Sequence, residues 1–239
     1  MIARIRSLGR AELLLLGRNR TALFSAVVLP LSMVTVVANI ELDGRVLITA
    51  TLSFVLLAAV YYNLVTTYVA RREELVLKRL RVGELTDGEI LAGVAAPAVV
   101  IALAQCVLAV AAGAILLDLP VPAAAPLMVL GLLGGTAVLV LLAAASAAFT
   151  RTTELAQVTT LPVLMVCLFG SGLLYPEGAL PERVTDLFRL LPLTPVVELI
   201  ELGWTGGVRD AIVPVAVLAA WLVLGTVAVR RWFRWEPRR

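Results

Sequence analysis

The sequence predicts an all-α integral membrane protein with six transmembrane helices, and three observations carry that expectation. The chain is 61% hydrophobic and only 15% charged, with a mean hydropathy of +0.99, whereas soluble domains carry about 25% charged residues. Six windows lack Asp, Glu, Lys and Arg altogether: 21–40, 46–70, 90–117, 119–150, 155–176 and 211–229. Each is close to or above the ~20 residues that cross ~30 Å of hydrocarbon as a helix, and in lipid a helix satisfies every backbone polar group within the segment. Finally, 16 of the 20 basic residues fall on the side of the membrane that six crossings would give to both termini.

Residues 1–18 place Ile2, Ile5 and Leu8 on one helical face with Arg4, Arg6 and Arg10 around it, the pattern of an amphipathic helix lying in the membrane interface. Span one follows at about 21–40. Its apolar run exceeds the ~7–15 residues of a signal-peptide core, so it is expected to stay as a span. Span two covers about 46–70. After it comes a charged island, RREELVLKRLRVGELTDGE, between uncharged flanks. Within it Val76, Leu77 and Leu80 share one helical side, while Arg71, Glu74, Lys78 and Arg79 share the other. Glu74 and Lys78 have the favourable i,i+4 order. The island therefore predicts a surface helix over 71–84, ended by Gly83; the simpler alternative is an ordinary basic loop. Thr86 and Glu89 have capping-box spacing and start span three, about 89–117.

Span four (about 123–150) carries a G-x-x-x-G at Gly131 and Gly135, then Ala143, Ala144, Ala147 and Ala148. Small residues let helices approach closely, and packing within the subunit is the expected use. Span five is placed at about 154–175. The segment 176–208 is too long for a turn and too polar to span. Val184, Leu187, Phe188 and Leu191, then Val196, Leu199, Ile200 and Gly203, repeat a helical spacing on either side of Pro192 and Pro195. Two short external helices follow from that pattern, acidic through Glu177, Glu182, Asp186, Glu198 and Glu201. They either re-enter the outer leaflet and cap a pathway or shield the bundle from water. Span six covers about 210–230. Pro30, Pro97, Pro162 and Pro214 are expected to kink their spans, and Cys106 and Cys167 are expected to be buried apolar thiols, since no C-x-x-C pair or histidine accompanies them.

The basic bias puts both termini and the island in the cytoplasm. No span has a charged residue at its centre and the chain has no histidine, which argues against ion-coupled transport and intramembrane metal or hydrolytic chemistry. Ser171, between Gly170 and Gly172, has no base to activate it. The chain has no G-x-x-x-x-G-K-[ST] phosphate loop, and Lys78 is its only lysine. It is expected to be no enzyme, with its driving force supplied by a partner.

Three stretches carry a family resemblance: the N-terminal surface helix leading into span one, RREELVLKRLRVGELTDGEILAG (71–93), and SGLLYPEGALPERVTDLFRLLPLTPVVELIELGW (171–204). They are similar to the ABC-2 type transporter permeases, membrane subunits of bacterial exporters that include drug and antibiotic resistance systems. The family shows an R-E-x-G-T-L-x-R-L-R-like run between spans two and three. Here Leu75 and Val76 stand where it often has Gly and Thr, and Pro195 where it often has His. The resemblance implies a separate ATP-binding subunit, with ATP and Mg on that partner and no cofactor in this chain. It also implies a permease homodimer or heterodimer in a bacterial plasma (inner) membrane, without nucleic acid.

In that family the first cytoplasmic loop supplies a coupling helix, so Glu73, Glu74, Leu77, Lys78, Leu80 and Arg81 would dock the ATPase. Spans two and five border the family's translocation route. The corresponding path residues are Thr51, Phe54, Ala58, Tyr61, Tyr62 and Val65, with Thr159, Met165, Phe169 and Ser171; each reads equally well as packing or lipid-facing. Pro192, Pro195, Glu198 and Glu201 mark the external segment. The expected function is ATP-driven export of a hydrophobic or amphipathic small molecule. The alternatives are export of a lipid or lipid-linked glycan, and a non-transporting membrane anchor that recruits an ATPase.

Overall fold

A computed structural model describes residues 32, 43–82, 85–172, 181–233 and 235. The N-terminal surface helix and span one lie outside the described residues, apart from Ser32. Among those described, eight α-helices are joined by turns and no strand occurs.

Five helices are long and apolar enough to cross a membrane. They are α1 (Gly44–Glu73), α3 (Asp87–Leu116), α4 (Ala125–Phe149), α5 (Thr153–Gly170) and α8, whose α-helical part is Ile212–Trp232 after a short 3₁₀ turn at Val208–Ala211. Three short helices complete the set: α2 (Val76–Val82), α6 (Glu182–Phe188) and α7 (Thr194–Thr205). The chain is a multi-pass membrane protein.

The element ends follow from local chemistry. The Asp43 carboxylate accepts from the Arg45 N–H at 2.9 Å and opens α1. The capping box at α3 is formed: Glu89 accepts from the Thr86 N–H at 2.9 Å, and the Thr86 hydroxyl accepts from the Glu89 N–H at 3.4 Å. Thr152 caps α5 in the same manner through the Leu155 N–H. Gly206 closes α7 with φ +85°, a left-handed conformation that costs a glycine nothing.

One departure from the expected boundaries sits in the island. The helix of span two does not stop near residue 70 but runs on to Glu73. The break falls at Leu75, which has φ +59°, so only Val76–Val82 forms the separate helix α2. The C-terminal part of α1 binds its neighbours strongly enough to carry Arg71 and Arg72 as its last turn.

Helix α4 is the hub, with α1, α7 and α8 packed around it. Glycines set these contacts. A Cβ on Gly131 would lie 2.9 Å from Leu199 Cβ, and one on Gly135 would lie 2.7 Å from Val196 Cγ2. Gly203 of α7 faces Met128 of α4 with equal closeness, at 2.8 Å. The G-x-x-x-G is therefore spent inside the subunit, on α7. Gly134 and Gly225 admit Leu218 and Leu141 and bring α8 against α4. The buried Ala143, Ala144 and Ala147 serve the other half of α4, where Tyr61 of α1 meets Ser146 at 3.0 Å. Tyr61 lies in a π-helical stretch of α1, Leu56–Tyr62. Such wide turns mark places where the regular ladder yields to a packing or functional demand.

Helix α7 packs against α4, α8 and α1, and its first residue also reaches the end of α5. The Thr194 hydroxyl is within reach of the Phe188 carbonyl (2.7 Å) and the Gly170 carbonyl (3.0 Å). The Trp221 indole donates to the Leu190 carbonyl at 2.8 Å, and the Ala124 N–H donates to the Gly203 carbonyl at 2.9 Å. Helix α7 thus enters the bundle alongside half of α4 and is buried over most of its length, including Pro195, Val196, Leu199 and Ile200.

Candidate functional site

The contacts Arg72–Ala147, Glu73–Thr153, Arg81–Asp87 and Phe149–Trp232 gather the ends of α1, α3, α4, α5 and α8 at one end of the bundle. This is the basic end, holding Arg71, Arg72, Lys78, Arg79, Arg81, Arg151, Arg230 and Arg231. Arg45 heads α1 at the opposite end, and Arg183, Arg189 and Arg209 lie in the α6–α8 connections.

Arg72 is the structural key to this end. It is 1% exposed. Its guanidinium donates to the carbonyls of Ala147 (2.8 Å), Thr150 and Arg151 (3.4 Å). Ala147 belongs to the last turn of α4, whose carbonyls lack helical partners, and Thr150 and Arg151 follow directly on that end, where a cation also meets the negative end of the helix dipole. One buried side chain therefore locks the end of α1, and with it the start of α2, onto the hub. Sequence reading placed Arg72 in the surface helix expected over 71–84, with a basic loop as the alternative. The missed signal is its phase: Leu64, Val65, Tyr68, Val69 and Arg72 continue one helical stripe, all buried.

The six expected docking residues divide by sidedness. Glu73, Glu74, Lys78 and Arg81 are exposed, Leu80 is half-buried and Leu77 is fully buried. Glu74 pairs with Arg71 at 3.8 Å, and Glu73 accepts from the Thr153 hydroxyl at 3.2 Å. Arg81 turns back to Asp87, 3.2 Å away. Leu77 anchors α2 while its charged side faces outward. Between the two helices Leu75, which stands where the resembling family often has Gly, is 41% exposed despite its apolar side chain.

The ten expected path residues also separate. Thr51, Tyr61 and Val65 are fully buried and Ser171 is 5% exposed. Thr51 and Ser171 spend their hydroxyls on the carbonyls of Leu47 and Leu168. Phe54 is exposed, and Ala58 and Tyr62 are half-exposed at successive i,i+4 positions on α1. Met165 and Phe169 of α5 are 44% and 53% exposed; Thr159 is also outward, with its hydroxyl 2.9 Å from that of Thr150. Helix α5 packs against α1. The outward set thus lies on two neighbouring helices and is aromatic, apolar and uncharged.

In the external segment Pro192 and Pro195 are buried, Glu201 is exposed, and Glu198 is half-buried beside Arg189 at 3.8 Å. Burial pushes the Glu198 carboxyl above the usual carboxylate range, and Arg189 pulls partly against it. Two cavities lie elsewhere. One of about 620 Å³ is walled by α3, α4 and Trp204, and one of about 340 Å³ lies between α4 and α8. None of the expected path residues lines either cavity.

A model of the family described as ABC-2 type transporter matches residues 3–202. A search of curated proteins finds no match.

Proposed function

The chain belongs to the ABC-2 type transporter family, and from that premise we propose that it is the permease subunit of an ATP-binding cassette exporter for a hydrophobic or amphipathic small molecule. Membrane domains of this family work with an ATP-binding partner subunit and are generally non-catalytic. The observation that carries the reading is the pairing of an outward charged helix with a rigid mount. The end of α1 presents Glu73 and Glu74 and helix α2 presents Lys78 and Arg79 at the basic end, next to the last turn of α1 that Arg72 locks to α4. The positive-inside bias puts this end in the cytoplasm. A push on α2 is then delivered to α1 and the hub without slack.

The outward set on α1 and α5 supports the substrate class. Phe54, Ala58, Tyr62, Met165 and Phe169 offer aromatic and apolar surface with no charge, which suits a hydrophobic or amphipathic molecule. In a single chain this face is open, and a second permease copy would complete it. Six spans in a bacterial plasma membrane, with span one ahead of α1, complete the proposed architecture. ATP binding would draw two partner ATPases together, and the two α2 helices would carry that motion into the spans.

The test is transport in vesicles containing the permease and its ATPase. Charge reversal at both Glu73 and Glu74 should lower substrate transport about tenfold or more, while membrane insertion remains normal. Full transport and full substrate-stimulated ATPase activity in that variant would overturn the docking assignment. Binding of the ATPase without movement of any substrate would favour the membrane-anchor alternative. Movement of lipid-linked glycan or phospholipid would shift the substrate class.

A further inference from the structure

We propose that the segment following span six, through Phe233 and Trp235, is a positioning device that holds α2 in place. The proposal rests on the reading of α2 as the docking helix. Helix α2 has seven residues, far below the length at which an isolated helix is stable in water. Its position is therefore set by what its inward side packs on. Part of that packing is local: Leu77 is fully buried against the core and Leu80 lies along it. The rest comes from the far end of the chain.

Helix α8 ends at Trp232, and Phe233 turns the backbone to an extended conformation. The Phe233 ring meets Tyr68 of α1 edge-on, centroids 6.2 Å apart, and the Trp235 ring edge-on at 5.0 Å. Trp235 is 9% exposed although it lies beyond the last helix. The Arg81 guanidinium of α2 sits 5.1 Å from the Trp235 ring centroid, within cation–π range. The same guanidinium bonds Asp87 at the start of α3. Tyr68 is fixed in turn by its hydroxyl, which donates to the Leu91 carbonyl of α3 at 3.0 Å. A chain of ring and ion contacts therefore runs from α8 through Phe233 and Trp235 to Arg81, with Tyr68 and Asp87 tying it to α1 and α3.

Position on α2 thus depends on α8, which is seated on the hub through Leu218 and Leu141. A shift of α8 along α4 would move Trp235 and release or tighten Arg81. Trp235 acts through α2, by way of Arg81.

Two measurements test this on the full chain. A nitroxide at Lys78→Cys reports α2 mobility in the permease alone, because Cys106 and Cys167 are both buried. In that background Trp235→Ala should raise the mobile fraction about fivefold or more, and Trp235→Phe should restore most of the immobile signal. With unlabelled permease and its ATPase in nanodiscs, Trp235→Ala should lower ATP hydrolysis per bound ATPase about threefold or more, with Trp235→Phe near the parent rate. The residue lies after the last span, so loss of the bundle is checked separately by thermal unfolding. An unchanged nitroxide spectrum in Trp235→Ala overturns the proposal. A loosened α2 with unchanged hydrolysis overturns its positioning role. If the unaltered permease binds no ATPase, the docking reading fails instead, and the spectrum still decides whether the tail holds α2.

Discussion

Leu75 has a left-handed backbone, φ +59°, at the joint between α1 and α2. An L-residue there costs roughly 1–2 kcal/mol through the clash of Cβ with its own backbone. The side chain recovers little of that by burial, because it is 41% exposed. This is the position where the resembling family often carries glycine. Leu75→Gly should therefore stabilise the chain by about 0.5–1 kcal/mol after allowing for glycine's greater freedom in the unfolded state. Thermal unfolding followed by tryptophan fluorescence should rise by about 2 °C; a fall would show that the leucine side chain has a packing role the geometry does not reveal. Arg72 is the opposite case, a buried polar residue whose guanidinium donates to the carbonyls of Ala147, Thr150 and Arg151. The resemblance to a family with glycine there marked the position of Leu75, whereas the role of Arg72 was not readable from the sequence. Leucine by itself is no marker of a turn, and an arginine in an expected surface helix is no marker of a cap on the end of a helix 75 residues away.

At the scale of elements, the glycines of α4 and α7 decide which helices touch. Gly203 is the tightest against immovable atoms: a Cβ there would lie 3.1 Å from the Met128 nitrogen and 3.2 Å from its Cα. Backbone cannot swing aside as a side chain can. Gly203→Ala should cost roughly 1–3 kcal/mol by overpacking, seen as a drop in thermal midpoint. Gly88→Ala serves as the control, since nothing lies within 4 Å of its Cβ position. The G-x-x-x-G spacing and the two external helices were readable in the sequence because periodicity encodes a face. The partner of that face was not readable. That α7 occupies the groove of Gly131 and Gly135 depends on where residues 181–193 carry it, and no local pattern records that path.

For the whole molecule, sidedness is the property with the widest consequences. The structure places Lys78 at the basic end, while Asp186 lies on α6, ahead of α7. With six spans and both termini inside, a cysteine at Lys78 should react with a membrane-impermeant maleimide only in inside-out vesicles. A cysteine at Asp186 should react only in right-side-out vesicles, again against the quiet background of two buried native thiols. Labelling of both from the same side would remove the proposed orientation and the span count together. By itself the sequence determined the membrane class, the apolar segments from residue 43 onward and the charged island between two of them. Those are properties of composition and of periodicity within one segment, which local physics sets. Only the tertiary structure decided that Arg72 closes α4, that Leu77 points inward while Lys78 points out, and that Trp235 reaches back to Arg81. Each of those joins residues far apart in the chain, and their proximity arises only when the hub and its neighbours are packed.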